Sequence, residues 1–369
     1  MHNYYSRVIW VFTLLLVGVG LVALYSASYD NVRVSRQVFY DQFFCAVLGL
    51  IVMYALSRVN YQFFFDVSYI LYGISLVLLI LVLLAGRSAL GATRWFNIAG
   101  ISFQPSELSK IALILMLGRY LSSRSLRLSF GGRSYLSRLW MDLLVPLFLT
   151  LLSFGLIFRQ PDLGSAILVF GIFVVMLFAS GIEIRMFMAL LGFCAAMVPL
   201  GWHFLKEYQK DRLLVFLNPN IDPLGAGYTI IQSRIAIGSG GLWGQGWLSG
   251  TQNQLNFLPE RHTDFIFSVI GEEWGFLGAI FLLGCYFVLI YAGLQIAGKI
   301  KERFGYLVTI GIVSILTLQV TINMAMTMGL SPVVGITLPF ISYGRTNYIV
   351  FMIMMGFLLN LSRRRMSYG

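Results

Sequence analysis

Apolar residues along this chain gather into ten runs, near 8–27, 38–57, 66–85, 106–121, 141–158, 165–182, 186–204, 265–293, 306–328 and 346–362. A helix needs roughly 20 apolar residues to cross a bilayer, and most of these runs supply them. The run at 106–121 is short unless extended. The first, Val8 to Ala27, exceeds a signal-peptide core and lacks a small-residue cleavage site, so it reads as a retained helix. Two connections break the rhythm. Residues 205–264 form one long connection, and connections of that length are usually functional. Within it, Tyr228 to Ile237 has the pattern of a short amphipathic helix, followed by the glycine-rich turn Gly238-Ser-Gly-Gly-Leu-Trp-Gly-Gln-Gly246 and Trp247. Residues 329–344 hold Pro332, Pro339 and several glycines but no charge. That stretch is too apolar for a free loop and too broken for a helix, which predicts a re-entrant segment buried in protein.

Composition agrees with the pattern. The chain has 369 residues, of which 58% are hydrophobic and only 11% charged, against about 25% charged in a soluble domain. The expected fold is an all-α polytopic membrane protein of about ten transmembrane helices. It forms a single domain over 1–369, with a large, partly helical extracytoplasmic loop at 205–264 between helices 7 and 8. Orientation follows from the basic residues. With the N-terminus inside, the inner 122–138 segment carries Arg124, Arg127, Arg133 and Arg138 without an acid, and Arg363, Arg364 and Arg365 form an inner anchor. The positive-inside rule then places both termini in the cytoplasm. The net charge of +11 is accounted for by basic loops facing anionic lipid, and no nucleic-acid partner is expected. Cys45, Cys194 and Cys285 lie in apolar runs without metal-ligand spacing and read as small buried hydrophobes. No fixed-period repeat is visible.

Ionisable groups at membrane level need pairing or a use. Asp66 and Asp142 are expected at helix starts, complementing the helix dipole. Gln104-Pro-Ser-Glu-Leu-Ser-Lys110 opens the fourth run; Glu107 and Lys110 are neighbours on one helix face, either as an ion pair or as fixed charges in a polar cavity. Arg94-Trp95 just before it can bind a phosphate or anchor at the interface. Asp162, in Gln160-Pro-Asp-Leu-Gly164, is either an N-cap or a polar group close to the others. Phe257-Leu-Pro-Glu-Arg-His-Thr-Asp-Phe-Ile-Phe267 concentrates Glu260, Arg261, His262 and Asp264 at the start of the eighth run. Asp264 is either that helix's cap or a general base. Glu272 and Glu273 follow and face different neighbours, one of them a candidate for the inner part of a cavity. There is no Walker loop, zinc-ligand pattern, His-Glu-x-x-His or nucleophile elbow, so ATP hydrolysis and zinc chemistry are not expected.

Taken in order, Arg94-Trp95, Gln104-Pro-Ser-Glu-x-x-Lys110, Gln160-Pro-Asp-Leu-Gly164 and Asp222-Pro-Leu-Gly-Ala-Gly-Tyr228 match one family's motifs. So do Gln232-Ser-Arg-Ile-Ala-Ile-Gly-Ser-Gly-Gly241, the 257–267 stretch and Pro339-x-x-Ser-Tyr-Gly344. The chain resembles the SEDS family (shape, elongation, division and sporulation) over essentially its whole length. Gly250-Thr-Gln and Pro259-Glu-Arg-His resemble the elongation branch, since the division branch tends to have alanine where Arg261 stands. The resemblance implies a peptidoglycan glycosyltransferase of the bacterial cytoplasmic membrane, active on the outer face during cell-wall elongation and rod-shape maintenance. Its implied substrate is lipid II, an undecaprenyl-pyrophosphoryl disaccharide pentapeptide. The implied partners are a class B penicillin-binding protein transpeptidase, the elongation machinery and membrane lipid. The family's essential aspartate, in Thr-Asp-Phe, maps onto Asp264, and its polar cavity onto Arg94, Glu107, Lys110 and Asp162. One departure is Arg345, where the family usually has glycine; it puts the local turn in question and is a candidate cation for the pyrophosphate.

The expected chemistry is an inverting β-1,4 transfer. Asp264 takes the acceptor hydroxyl proton, with His262 and Thr263 beside it. Arg94, Lys110, Arg212 and Arg234 are candidate partners of the leaving pyrophosphate. A divalent cation, magnesium or manganese, is a candidate to share that role, though nothing in the sequence requires one. Two rival readings stand beside this one: a lipid II flippase, and a scaffold that recruits a transpeptidase.

Overall fold

The computed structural model describes residues 2–29, 32–89, 92–98, 101–123, 139–223, 225 and 227–364. The arginine-rich 124–138 stretch used for orientation lies outside the described residues, as do parts of the Asp222–Tyr228 motif. Helices α1 (His2–Ala27), α2 (Val32–Leu56), α3 (Tyr61–Ala85), α4 (Pro105–Ser123), α5 (Val145–Arg159), α6 (Leu163–Ala179) and α7 (Ile184–Phe204) come first. Three short helices follow: α8 (Glu207–Leu217), α9 (Tyr228–Ser239) and α10 (Thr251–Gln254). Then come α11 (Ile266–Ala297), α12 (Arg303–Thr327) and α13 (Arg345–Arg364). Each of the ten apolar runs is a helix, and the protein is a polytopic, all-α membrane protein. Seven helical stretches are long and apolar enough to cross a membrane; α6 is shorter.

Local chemistry explains the ends. Asn60 caps α3, its side chain accepting from the Gln62 N–H at 3.2 Å. Asp66 therefore sits in the second turn of α3, not at the helix start expected from sequence, and does not serve the dipole there. Asp142 does lie in a first turn, that of the π-helical stretch Leu139–Leu144 leading into α5. Pro105 occupies the first position of α4, where its missing N–H costs nothing. The α3–α4 connection holds a feature the apolar pattern did not show: a small antiparallel sheet in the order β1 (Arg87–Ala89), β2 (Ala92–Ile98), β3 (Ile101–Phe103). Arg87 stands opposite Trp95, and Phe96 opposite Phe103.

The core lies along α4, α6, α12 and α13, whose buried faces carry residues such as Leu113, Phe173, Ile312 and Phe351. In contrast, α7 is exposed along most of its length, presenting Met188, Phe193, Val198 and Phe204. Helix α11 is broken at Gly275, where φ is 65° and ψ −161°, a conformation open to glycine alone. The break frees backbone groups that lipid cannot satisfy. The glycine-rich turn satisfies them: Gln245 N–H donates to Glu272 O at 2.9 Å and Gly246 N–H to Glu273 O at 3.0 Å. In return, the Phe276 N–H donates to Gly241 O at 2.9 Å and that of Leu277 to Leu242 O at 3.2 Å.

Residues 329–344 enter the bundle without helix or strand, and Leu338, Phe340 and Ile341 are buried. Three side chains from two helices hold the peptide. Tyr286 of α11 donates to Pro339 O, Gln319 of α12 to Thr337 O at 3.0 Å, and Asn323 of α12 to Ile336 O at 2.6 Å. An irregular backbone at that depth exists because protein polar groups replace the water it lacks.

Candidate active site

At one end of the bundle the α3–α4, α5–α6, α7–α11 and α12–α13 connections meet. Arg94, on β2, donates to the Gln160 and Pro161 carbonyls and lies 3.8 Å from Asp162. Asp162 caps α6 through the Ser165 N–H at 3.3 Å and also accepts from Gln104 at 3.1 Å and Ser106 at 3.4 Å. It is therefore both a cap and a member of the polar cluster. From α8, Tyr208 donates to Pro161 O at 2.9 Å, and Arg212 donates to Val333 O at 3.1 Å. Arg94, Pro161, Tyr208, Arg212 and Val333 line a narrow hollow of about 20 Å³. Tyr208, Arg212 and Val333 continue into a second hollow of about 230 Å³, with Asp211 and Thr229 on its wall.

Asp264 stands in the turn that leads into α11. The Glu260 carbonyl receives the N–H groups of Thr263 (3.1 Å), Asp264 (3.1 Å) and Phe265 (3.3 Å). This turn forms because Glu260 takes the left-handed backbone, with φ at 51°. Phe265 occupies the cap position of α11 and no side chain caps the helix. The Asp264 carboxylate is therefore not spent as the cap that was one of its two sequence readings. It remains partly exposed beside Gly335, where φ is 71° and an added Cβ would stand 3.4 Å from Oδ2. Its pKa is pushed up to about 6, first by burial and then by Glu260 and Asp162, against the opposing pull of Arg212 and Arg94. A carboxylate in that range is ionised at neutral pH and still basic enough to accept a proton. Burial instead lowers the pKa of His262, with Arg261 adding to the effect and Glu260 opposing it.

Several charged candidates are held elsewhere. Lys110 bonds Glu107 at 2.7 Å with both side chains buried, and Glu107 also accepts from Asn347 at 2.9 Å. Thr263 turns its hydroxyl to Glu260, and His262 lies near the Tyr343 ring, 6.1 Å between centroids. Arg234 is exposed on α9, packs against Gly329 and is absent from the lining of both hollows. Arg345 pairs with Asp41 of α2, so it ties α13 to α2 and is not directed at a pyrophosphate. Glu272 accepts from the Gln252 N–H at 2.8 Å and the Asn253 N–H at 3.3 Å, while Glu273 accepts from Ser26 and Asn253. Neither lines the two hollows; they anchor α10 and α1. Arg261 is buried, not solvated, and donates to the Ala27 and Asn253 carbonyls. Among the described residues no three His, Cys, Asp or Glu side chains converge to hold a metal. Sequence reasoning missed Tyr208 and Asn323. Asn323 had a signal, an amide within an apolar run; Tyr208 had none.

A family profile matches residues 6–367, essentially the whole chain, under the description cell cycle protein. The chain belongs to the FtsW/RodA/SpoVE family. Within that family it is 41% identical over 321 residues to the peptidoglycan glycosyltransferase MrdB of Escherichia coli K12, covering 86% of this chain and 84% of that one. One solved relative is a chain from a peptidoglycan synthase complex that coordinates polymerization and crosslinking. It has a TM-score of 0.81 and 37% identity, over 97% of this chain and 98% of that one. The rod shape determining protein RodA of Thermus thermophilus has a TM-score of 0.70 and 30% identity, over 97% of this chain and 96% of that one.

Proposed function

We propose that this chain is a peptidoglycan glycosyltransferase that polymerises lipid II into glycan strands during cell-wall elongation. The observation that carries the reading is Asp264. It is a carboxylate freed from capping, raised to a pKa of about 6 and set in the field of two arginines, Arg94 and Arg212. In an inverting transfer, the acceptor's 4-hydroxyl oxygen bonds to the donor's anomeric carbon as the bond to the polyprenyl pyrophosphate breaks. Asp264 takes the hydroxyl proton, and the pyrophosphate leaves with its electron pair toward the cations. General-base catalysis contributes about 10²–10⁴-fold to such a step. Arg94 and Arg212, which line the narrow hollow, are assigned to the leaving group. Lys110, its charge taken up by Glu107, is left out of that role. A magnesium or manganese ion, were one bound there, would add to the same positive charge.

The site faces outward, with both termini in the cytoplasm, a reading supported by the distribution of arginines along the chain. A class B penicillin-binding protein transpeptidase is the proposed partner, supported by the synthase complex in which the solved relative occurs. Purified protein with that partner and lipid II tests the assignment. Asp264→Ala and Asp264→Asn should abolish glycan-strand formation while the protein stays folded. Strand formation at the wild-type rate by either variant overturns it. A variant that still moves labelled lipid II across sealed vesicles without polymerising it would favour transport.

A further inference from the structure

We infer that Asn323 is a positioning residue for Asp264, holding the base-bearing turn against the buried 329–344 segment. The inference rests on Asp264 as the base. Asn323 lies near the end of α12 and is fully buried. Its Nδ2 donates to two carbonyls at once, Asp264 O at 2.9 Å and Ile336 O at 2.6 Å. Both neighbours are acceptors only, so the amide nitrogen must face them and the side chain has one useful orientation. Ile336 follows Gly335, the residue that stands against the Asp264 carboxylate. A bond that fixes residue 336 to residue 264 therefore sets the spacing between carboxylate and wall. Ser342 makes a parallel link one residue earlier: its hydroxyl donates to Thr263 O at 2.6 Å and accepts from the Leu338 N–H at 2.7 Å. Two consecutive carbonyls of the turn, 263 and 264, are thus stapled to the same buried segment.

The molecule contains its own control. Asn360 of α13 also donates twice from Nδ2, to Leu56 O at 2.8 Å and Val59 O at 2.6 Å. Those carbonyls lie at the α2–α3 connection, away from Asp264. Removing either asparagine breaks two bonds of similar length, but only one pair holds the base. A misplacement of about 1 Å at a reacting centre can cost on the order of 10²-fold in rate. A turn released toward solvent also loses part of the burial that holds Asp264 above the ordinary carboxylate range. Glu260, Arg212, Arg94 and Asp162 are the charged groups that act on it and remain in place.

The test compares Asn323→Ala, Asn360→Ala and Asp264→Asn in the full-length protein with its transpeptidase partner, using lipid II polymerisation. For Asn323→Ala we expect kcat to fall about 10–100-fold, with KM near wild type and the acidic limb of kcat/KM displaced to lower pH. For Asn360→Ala we expect reduced thermal stability with kcat and the limb unchanged. An Asn323→Ala enzyme with wild-type kcat and limb overturns the inference. So does equal loss in both asparagine variants, in proportion to the folded fraction and with the limb unmoved. Should Asn323→Ala not fold, Asn323→Gln, which keeps the amide but displaces its nitrogen, is read the same way. Activity in Asp264→Asn would instead sink the base assignment. An inactive Asp264→Asn beside an unaffected Asn323→Ala sinks the positioning role alone.

Discussion

Asp264→Asn should make the protein more stable as it makes it inactive, and the gain should depend on pH. The folded protein holds Asp264 at a pKa of about 6, against an ordinary value of 3.8. A raised carboxylate pKa means that the folded state favours the protonated form. Below the ordinary value both states are protonated and the group costs nothing. As pH rises toward 6 the folded state must ionise a buried group that the unfolded state ionises freely, and stability falls. Above 6 the whole cost is present. The shift, at about 1.36 kcal/mol per pKa unit, sets an upper bound of about 3 kcal/mol. Residual solvent contact at Asp264 reduces this to about 1–2 kcal/mol. Asparagine carries no charge, so the variant escapes the cost. Thermal unfolding in detergent should therefore show Asp264→Asn melting higher than wild type at pH 8, by a few degrees. The gap should close as pH falls toward 4. His262, whose pKa burial lowers, is present in both proteins and cancels in the difference. A gap that is absent at pH 8, or that widens in acid, would refute the reasoning.

Two further predictions concern charges that the fold has already spent. Lys110→Met leaves Glu107 buried with only Asn347, so unfolding measurements should show a loss of about 3–5 kcal/mol. The double variant Lys110→Met with Glu107→Gln should recover most of it; a single variant that costs under about 1 kcal/mol would show that the pair is not desolvated. Arg345→Gly, which restores the residue usual in the family, removes a partly exposed pair with Asp41 and should cost about 1 kcal/mol or less. Lipid II polymerisation should keep its KM within a small factor, and a tenfold rise would place Arg345 on the pyrophosphate after all.

The ten helices were legible because each is a long apolar run, and the buried 329–344 segment because prolines and glycines interrupt an otherwise uncharged stretch. Asp264 was legible as a carboxylate at a helix entrance, but its freedom from capping was not, since that depends on the left-handed turn at Glu260. The sheet carrying Arg94 escaped notice because its strands are three to seven residues long, too short to establish an alternation. Arg212 looked no different from Arg234 in sequence. Only the tertiary arrangement of α8 and α9 brings one to the wall of the hollows and keeps the other off it. Asp66 was misread because Asn60 starts α3 a full turn earlier than the apolar pattern does.

The charges near Asp264 divide by what each can reach. Glu272, Glu273 and Arg261 sit within nine residues of it in sequence, yet all three are consumed in holding α1, α10 and the interrupted α11 together. Glu107 and Lys110 neutralise each other inside α4. Asp41 neutralises Arg345 at the start of α13, where a cation would otherwise oppose the helix dipole. Among the described residues, the cations acting on Asp264 are then Arg212 and Arg94. Each is anchored by backbone carbonyls, and each keeps its place on the wall of a hollow. Carbonyl anchors fix position without cancelling charge, and Asp162, 3.8 Å from the partly exposed Arg94, offsets that arginine only in part. Two guanidinium groups held that way beside a carboxylate of raised pKa can offer positive charge to a departing pyrophosphate while the carboxylate accepts a proton. Lys110, buried and bound to Glu107 at 2.7 Å, has already spent its charge.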